Sequence, residues 1–78
     1  MMFEVQVIIK NDFGEFKGRK ANVNEEQLGK IIESSKSFYK SSGFELTCED
    51  GTFVVLAPEI VKRSMLIVLS KKIKNDDV

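Results

Sequence analysis

The chain has 78 residues, of which 42% are apolar and 31% charged, and its 12 basic and 12 acidic side chains give a net charge of zero. This composition is typical of a globular domain and argues against disorder, and the length predicts a single small domain. We place that domain at residues 1–73 and expect a frayed tail at 74–78. A protein that binds nucleic acid without sequence preference is usually basic overall, so the charge balance argues against that class.

Cys48 is the only cysteine, so the chain can form no internal disulfide, which fits a reducing compartment. The first residues, "MMFEVQVIIK", have neither a basic region nor a cleavage site of a signal peptide. No apolar run approaches the roughly 20 residues that a membrane helix needs. We therefore expect a cytoplasmic, soluble protein that does not enter a membrane.

The N-terminal segment "FEVQVIIK" predicts a strand, because Phe3, Val5, Val7 and Ile9 alternate with other residues and share one face. The next residues, "NDFG", are typical of a hairpin loop. The segment "EFKGRKANV" predicts a weaker second strand, in which Gly18 indicates a bulge or a sheet edge.

A helix is predicted from Asn24 onward, in "NEEQLGKIIESSKSFYKSSG". Asn24 is a favourable N-cap, and Gln27 completes a variant of the capping box. Gly43 is the expected stop, in the left-handed conformation. Gly29 lowers helix propensity but would let the helix approach the sheet closely. An apolar stripe makes the helix amphipathic; its members, at three- and four-residue spacing, are Leu28, Ile31, Ile32, Ser35, Phe38 and Tyr39.

The segment "FELTCEDGTFVVLA" predicts a hairpin with Asp50-Gly51 in a type I′ turn. "PEIVKRS" then predicts one helical turn that starts near Pro58, and "MLIVLSKKI" predicts a last strand. A single helix over 58–72 is a rival interpretation, but the β-branched residues and the absence of one apolar stripe disfavour it. The predicted fold class is α+β with the order ββαβββ, in which one amphipathic helix packs on a mostly antiparallel five-stranded sheet.

Residues that could support catalysis are scarce. The chain has no histidine, which removes the commonest general base and metal ligand. We interpret Cys48 as a small buried side chain, since it shares a strand face with Phe44 and Leu46. Adjacent acids are explained by the helix start, the hairpin turn and the tail, and the glycines are too scattered to form a phosphate-binding loop. The prediction is a protein that is not an enzyme and uses no cofactor and no metal.

Eight of the 12 basic side chains fall in two segments, 17–20 and 62–74, and the second of these contains no acid. If these segments are neighbours, they form a basic edge that could follow a phosphate backbone. The alternative is that lysines at strand ends keep the protein soluble and discourage edge pairing. The candidate nucleic-acid-binding residues are Lys17, Arg19, Lys20, Lys62, Arg63, Lys71 and Lys72.

The last two predicted strands are apolar on both faces, whereas a half-exposed antiparallel strand would alternate apolar with polar residues. One helix covers only one face of a sheet, so we expect an exposed apolar surface formed by Val54, Leu56, Leu66 and Val68. Three arrangements could cover it: a strongly curled monomer, a two-fold homodimer, or a different protein partner. The dimer is favoured, because a small chain gains core by association.

The stretch "DGTFVVLAPEIVKRSMLIVLSKK", 23 residues of the chain, resembles the last third of short uncharacterised proteins encoded by phages and prophages of Gram-positive bacteria. The resemblance implies a small accessory protein that works by binding, to a host or a phage protein, and it carries no catalytic residue. The function expected from the sequence is a non-enzymatic protein-binding module that self-associates through an apolar sheet face. The alternative is a small nucleic-acid-associated protein that uses the basic edge.

Overall fold

A computed structural model describes residues 1–73 of the chain. These residues form six strands and two short α-helices. The frayed tail expected at 74–78 lies outside the described residues. A 3₁₀ helix, Phe38–Lys40, lies between the first α-helix and the fourth strand. In chain order the other elements are β1 (Met2–Asn11), β2 (Gly14–Lys17), β3 (Ala21–Asn24), α1 (Glu25–Ser35), β4 (Phe44–Thr47), β5 (Phe53–Leu56), α2 (Pro58–Val61) and β6 (Met65–Lys72). The α+β class and the mostly antiparallel pairing are confirmed.

The main sheet has four strands and is organised around β1. β6 pairs antiparallel with β1 over most of its length, from Phe3 opposite Lys72 to Lys10 opposite Met65. β2 and β3 follow one another along the opposite edge of β1, and both are antiparallel to it. Within residues 1–73, β1 is therefore the only strand of this sheet with partners on both sides.

A bulge at 18–20 separates β2 from β3. Ile8 lies opposite Lys17 and Val5 lies opposite Ala21, so three steps along β1 correspond to four along its partner. The Gly18 N–H still donates to the Val7 carbonyl oxygen at 2.7 Å, which keeps the bulge attached to β1. The bulge expected at Gly18 is confirmed, and it splits the predicted second strand into two.

Helix α1 begins as the sequence indicates, with a complete capping box. The Asn24 side chain accepts from the Gln27 N–H at 2.8 Å, and the Gln27 side chain accepts from the Asn24 N–H at 2.9 Å. These two bonds satisfy backbone donors that the first helical turn would otherwise leave free.

The predicted end of α1 at Gly43 is wrong, because the helix stops at Ser35. The N–H groups of Lys36 and Ser37 bond three residues back, so the last turn tightens. The chain then turns Phe38 into the core, where its ring meets the Phe44 ring edge-on at 4.9 Å between centroids. The expected apolar stripe is incomplete, because Ile32 within α1 is 44% exposed and Tyr39 beyond the helix is exposed as well.

The β4–β5 hairpin forms as predicted, but the type I′ turn is wrong. That turn needs a positive φ at both central residues, and Gly51, with φ 92°, is the only residue of the turn with a positive φ. The Cys48 N–H donates to the Thr52 carbonyl oxygen at 2.7 Å, so the loop holds Glu49, Asp50 and Gly51. The Asp50 carboxylate accepts from the Thr52 N–H at 2.9 Å and fixes this wider loop.

The predicted single five-stranded sheet is wrong, because the strands form two separate sheets. The β4–β5 hairpin is a separate two-stranded sheet, which meets the main sheet through one bridge between Gly18 and Cys48. It lies over the same face of β1 as α1, and the core forms between these layers. That core consists of Ile9, Phe38, Leu56 and Val61, with five partly buried neighbours that include Leu46, Val54 and Leu66. Helix α2, with Pro58 in its first turn, supplies the fully buried Val61.

Candidate interaction surface

The four predicted interface residues lie on the inward face, so the expectation that they are exposed is wrong. Leu56 is 6% exposed and belongs to the core, against which Val54 and Leu66 pack. Val68 lies opposite Val7 on the same face of the main sheet as Ile9. The hairpin folds over this face together with α1, so Val54, Leu56 and Leu66 are covered, and Val68 is half-buried.

Exposed apolar side chains lie on the other face of the main sheet, which we call the open face. On β6 and just beyond it, this face carries Met65, Ile67, Leu69 and Ile73, with Ile8 of β1 beside Ile67. Met65 is 62% exposed and Leu69 is 49% exposed, whereas Ile8 is buried among its neighbours. No helix or strand among residues 1–73 packs over these side chains in the way that α1 and the hairpin cover the other face.

Charges of both signs surround the apolar stripe of the open face. Glu4 lies opposite Lys71 at one end, and Lys10 lies opposite Glu15 at the other. Gln6, which is buried, donates from its side chain to the Gly18 carbonyl oxygen at 2.9 Å and to the Glu49 carboxylate at 3.1 Å. The open face is therefore an apolar stripe with a nearly balanced polar rim, a pattern that marks protein–protein contact.

The outer edge of β6 is the second notable feature, because within residues 1–73 its only strand partner is β1. The Ile73 N–H donates to the Met2 carbonyl oxygen at 3.0 Å. In an antiparallel ladder such hydrogen-bonded positions recur at every second residue. The residues whose N–H and C=O groups point away from β1 are therefore Leu66, Val68, Ser70 and Lys72.

A smaller apolar patch lies on the outward face of the hairpin. It consists of Phe53, 57% exposed, and Val55, 66% exposed. Their cross-strand partners are Thr47 and Glu45, both polar and exposed. Because each apolar side chain here is next to a polar one, this patch does not form a stripe like that of the open face.

The predicted basic edge is not formed. Lys71 and Lys72 lie at the end of β6, whereas Lys17, Arg19 and Lys20 lie along β2 and the bulge, on the opposite side of β1. Lys62 and Arg63 precede β6 and lie near the β1–β2 turn, where Arg63 forms an ion pair with Asp12. Pairing both segments with the same central strand separates them, so the seven basic residues do not form one surface.

Cys48 is a buried free thiol beside the hairpin turn. Burial raises the pKa of this thiol, and the nearby carboxylates of Asp50 and Glu49 raise it further. A raised pKa lowers the fraction of reactive thiolate at neutral pH. The Thr52 N–H that bonds the Asp50 carboxylate lowers the pKa of that acid, so Asp50 stays charged beside the thiol. This arrangement suits packing and does not activate a nucleophile.

Among the described residues, no group of His, Cys, Asp and Glu side chains lies close enough together to hold a metal ion. Of the helices between residues 1 and 73, none has the length and hydropathy that a bilayer span requires. No family model, no curated protein and no solved structure matches the chain. The surfaces described above are therefore what bears on function.

Proposed function

We propose that this protein is a non-enzymatic binding module that self-associates through the β6 side of its main sheet. The observation that supports the proposal is the exposed pair Met65 and Leu69, with the half-buried Ile67 between them, beside a strand edge that has no strand partner among residues 1–73. Association that brings such side chains of two copies into contact removes apolar area from water. The self-association expected from the sequence is retained here, but its surface moves from the inward set to the open face.

An accessory role in a phage or prophage, and a cytoplasmic setting, belong to the same proposal. The resemblance implies a protein that acts by binding, which agrees with the scarcity of catalytic groups in a chain without histidine. The single free thiol of Cys48 fits a reducing compartment. The nucleic-acid alternative has less support, because its seven basic residues lie at separate places around the sheet and Arg63 is paired with Asp12.

The test is the solution mass of three proteins, measured by light scattering after size-exclusion chromatography. We expect the wild type to be a dimer and Leu69→Lys to be a monomer, because the substitution places a charge in the apolar stripe. Val55→Lys is the matched control, since Val55 is also exposed and apolar but lies on the hairpin. Circular dichroism should show that all three proteins are folded.

A wild type that remains monomeric at several hundred micromolar would refute self-association. If Val55→Lys were monomeric and Leu69→Lys dimeric, self-association would be real but would use the hairpin patch. In that case the assignment to the open face would be wrong.

A further inference from the structure

We infer that two copies associate by antiparallel pairing of their β6 edges, so that two four-stranded sheets become one continuous sheet. This inference rests on the proposed function and specifies how the copies meet. It begins from the outward N–H and C=O groups of Leu66, Val68, Ser70 and Lys72, which a second strand could pair. An edge of this kind is a template for strand addition unless the protein blocks it.

Proline and charged side chains, two of the usual devices that block an edge, are absent from the first six residues of β6. The strand runs for eight residues with no proline and no glycine, and Met65–Ser70 carries no charge. The only charged residues, Lys71 and Lys72, are at its end. The edge is therefore open to pairing over its first six residues and guarded only at the last two.

The occupant that fits this edge is a second copy of the chain. A parallel partner in register would place Lys71 and Lys72 beside their own counterparts, and like charges directly opposite are destabilising. An antiparallel copy instead places these lysines opposite neutral residues at the far end of the partner strand. The net charge of zero means that two copies do not repel each other as wholes.

The register that pairs every outward residue is centred on Leu69. It places Val68 opposite Ser70 of the second copy and Leu66 opposite Lys72, with the reciprocal pairs completing the ladder. Leu69 then lies directly opposite its own counterpart, and Met65 lies opposite Ile73, both on the open face. The two apolar stripes therefore merge into one.

Face-to-face stacking of two open faces offers only a small contact area. The open face spans about 26 Å along β6 and about 14 Å across three strand positions, from the usual rise and strand spacing. Two such faces provide roughly 730 Å² of projected contact, below the roughly 1,000 Å² that specific interfaces reach. Edge pairing instead provides backbone hydrogen bonds in addition to the apolar contacts between the two β6 strands.

The first experiment compares Ser70→Pro with Ser70→Ala. In the monomer the Ser70 N–H points away from β1 and the side chain is exposed, so proline should leave the fold intact. It removes one donor per copy from the ladder, which we expect to raise the dimer dissociation constant at least about tenfold. Ser70→Ala, which keeps the N–H, should dimerise like the wild type. A folded Ser70→Pro protein that dimerises like the wild type would overturn edge pairing and leave self-association standing.

The second experiment tests the register and does not depend on proline. Leu69→Lys and Leu69→Glu should each be monomeric alone, because like charges would meet at the two-fold axis. Mixed in equal amounts, they should form a mixed dimer, because opposite charges then lie face to face. No recovery on mixing would overturn the register centred on Leu69. A wild type that is monomeric would overturn both the inference and the proposed function.

Discussion

Gly18 and Gly29 differ in what a side chain at each position would meet. A Cβ at Gly18 would lie 2.9 Å from the Leu46 Cδ1 atom and 3.0 Å from the Val7 carbonyl oxygen. A Cβ at Gly29 would meet nothing within 4 Å. The expectation that Gly29 lets α1 approach the sheet closely is therefore wrong, and Gly18 is the glycine that allows a close contact.

We predict opposite effects for alanine at these two positions. Gly29→Ala should stabilise the protein by about 0.5–1 kcal/mol, because it removes the entropic disadvantage of glycine in a helix. Gly18→Ala should destabilise it by about 1–3 kcal/mol, because the Val7 backbone cannot move without disturbing the central strand. Thermal unfolding at one protein concentration measures both changes. A Gly18→Ala protein as stable as the wild type would show that the bulge can absorb a side chain.

We also predict that Cys48 is protected from thiol reagents in the native state. At pH 8 the folded protein should react at least about tenfold more slowly than the urea-unfolded chain, since burial limits access and the raised pKa leaves less thiolate. The native rate should still be rising at pH values where the rate of the unfolded chain has levelled off. Equal rates for the two states at pH 8 would contradict the core position of Cys48.

At the scale of the element, local chemistry predicted how segments begin better than how they end. The alternation in β1, the capping box at Asn24 and Gln27, and the helical turn at Pro58 each depend on residues close together in the chain, and each is confirmed. The end of α1 depends on a distant residue, since Phe38 leaves the helix to meet Phe44 in the core. No local signal identifies that contact.

The placement of the β4–β5 hairpin was also beyond a local reading. Phe44, Leu46 and Cys48 share a face, as predicted, and this face is the buried one. The sequence does not indicate whether a hairpin extends the main sheet or folds over it. The close approach of Leu46 to Gly18 favours a hairpin that folds over the sheet, but it joins two segments that are far apart in the chain.

At the scale of the whole molecule, the buried and exposed faces of β6 are the reverse of those predicted, and the register of this strand explains the difference. A strand that is apolar on both sides fits a core with either set of alternate residues, and a shift of one residue exchanges the two sets. In β6 the pairing of Leu66 with Ile9 and Val68 with Val7 selects the even-numbered residues for the core. Met65, Ile67 and Leu69 are therefore left on the open face, and the length of the apolar run alone could not decide between the sets.

The last prediction concerns stability as a function of protein and salt concentration. A protein that dimerises through backbone pairing and apolar contacts unfolds at a temperature that rises with its own concentration, because mass action favours the associated state. Between about 5 and 500 µM we expect the unfolding midpoint of the wild type to rise by several degrees, and that of folded Leu69→Lys to stay constant.

Raising the salt concentration from about 50 to 500 mM should change the wild-type dimer little, since its central contacts carry no charge. Nucleic-acid binding through lysines and arginines would instead weaken steeply over this range, with a slope set by the number of neutralised phosphates. A midpoint independent of protein concentration, together with salt-sensitive binding to DNA or RNA, would transfer the function from the open face to the basic residues. An unfolding midpoint that rises with protein concentration and does not depend on salt would support self-association through β6.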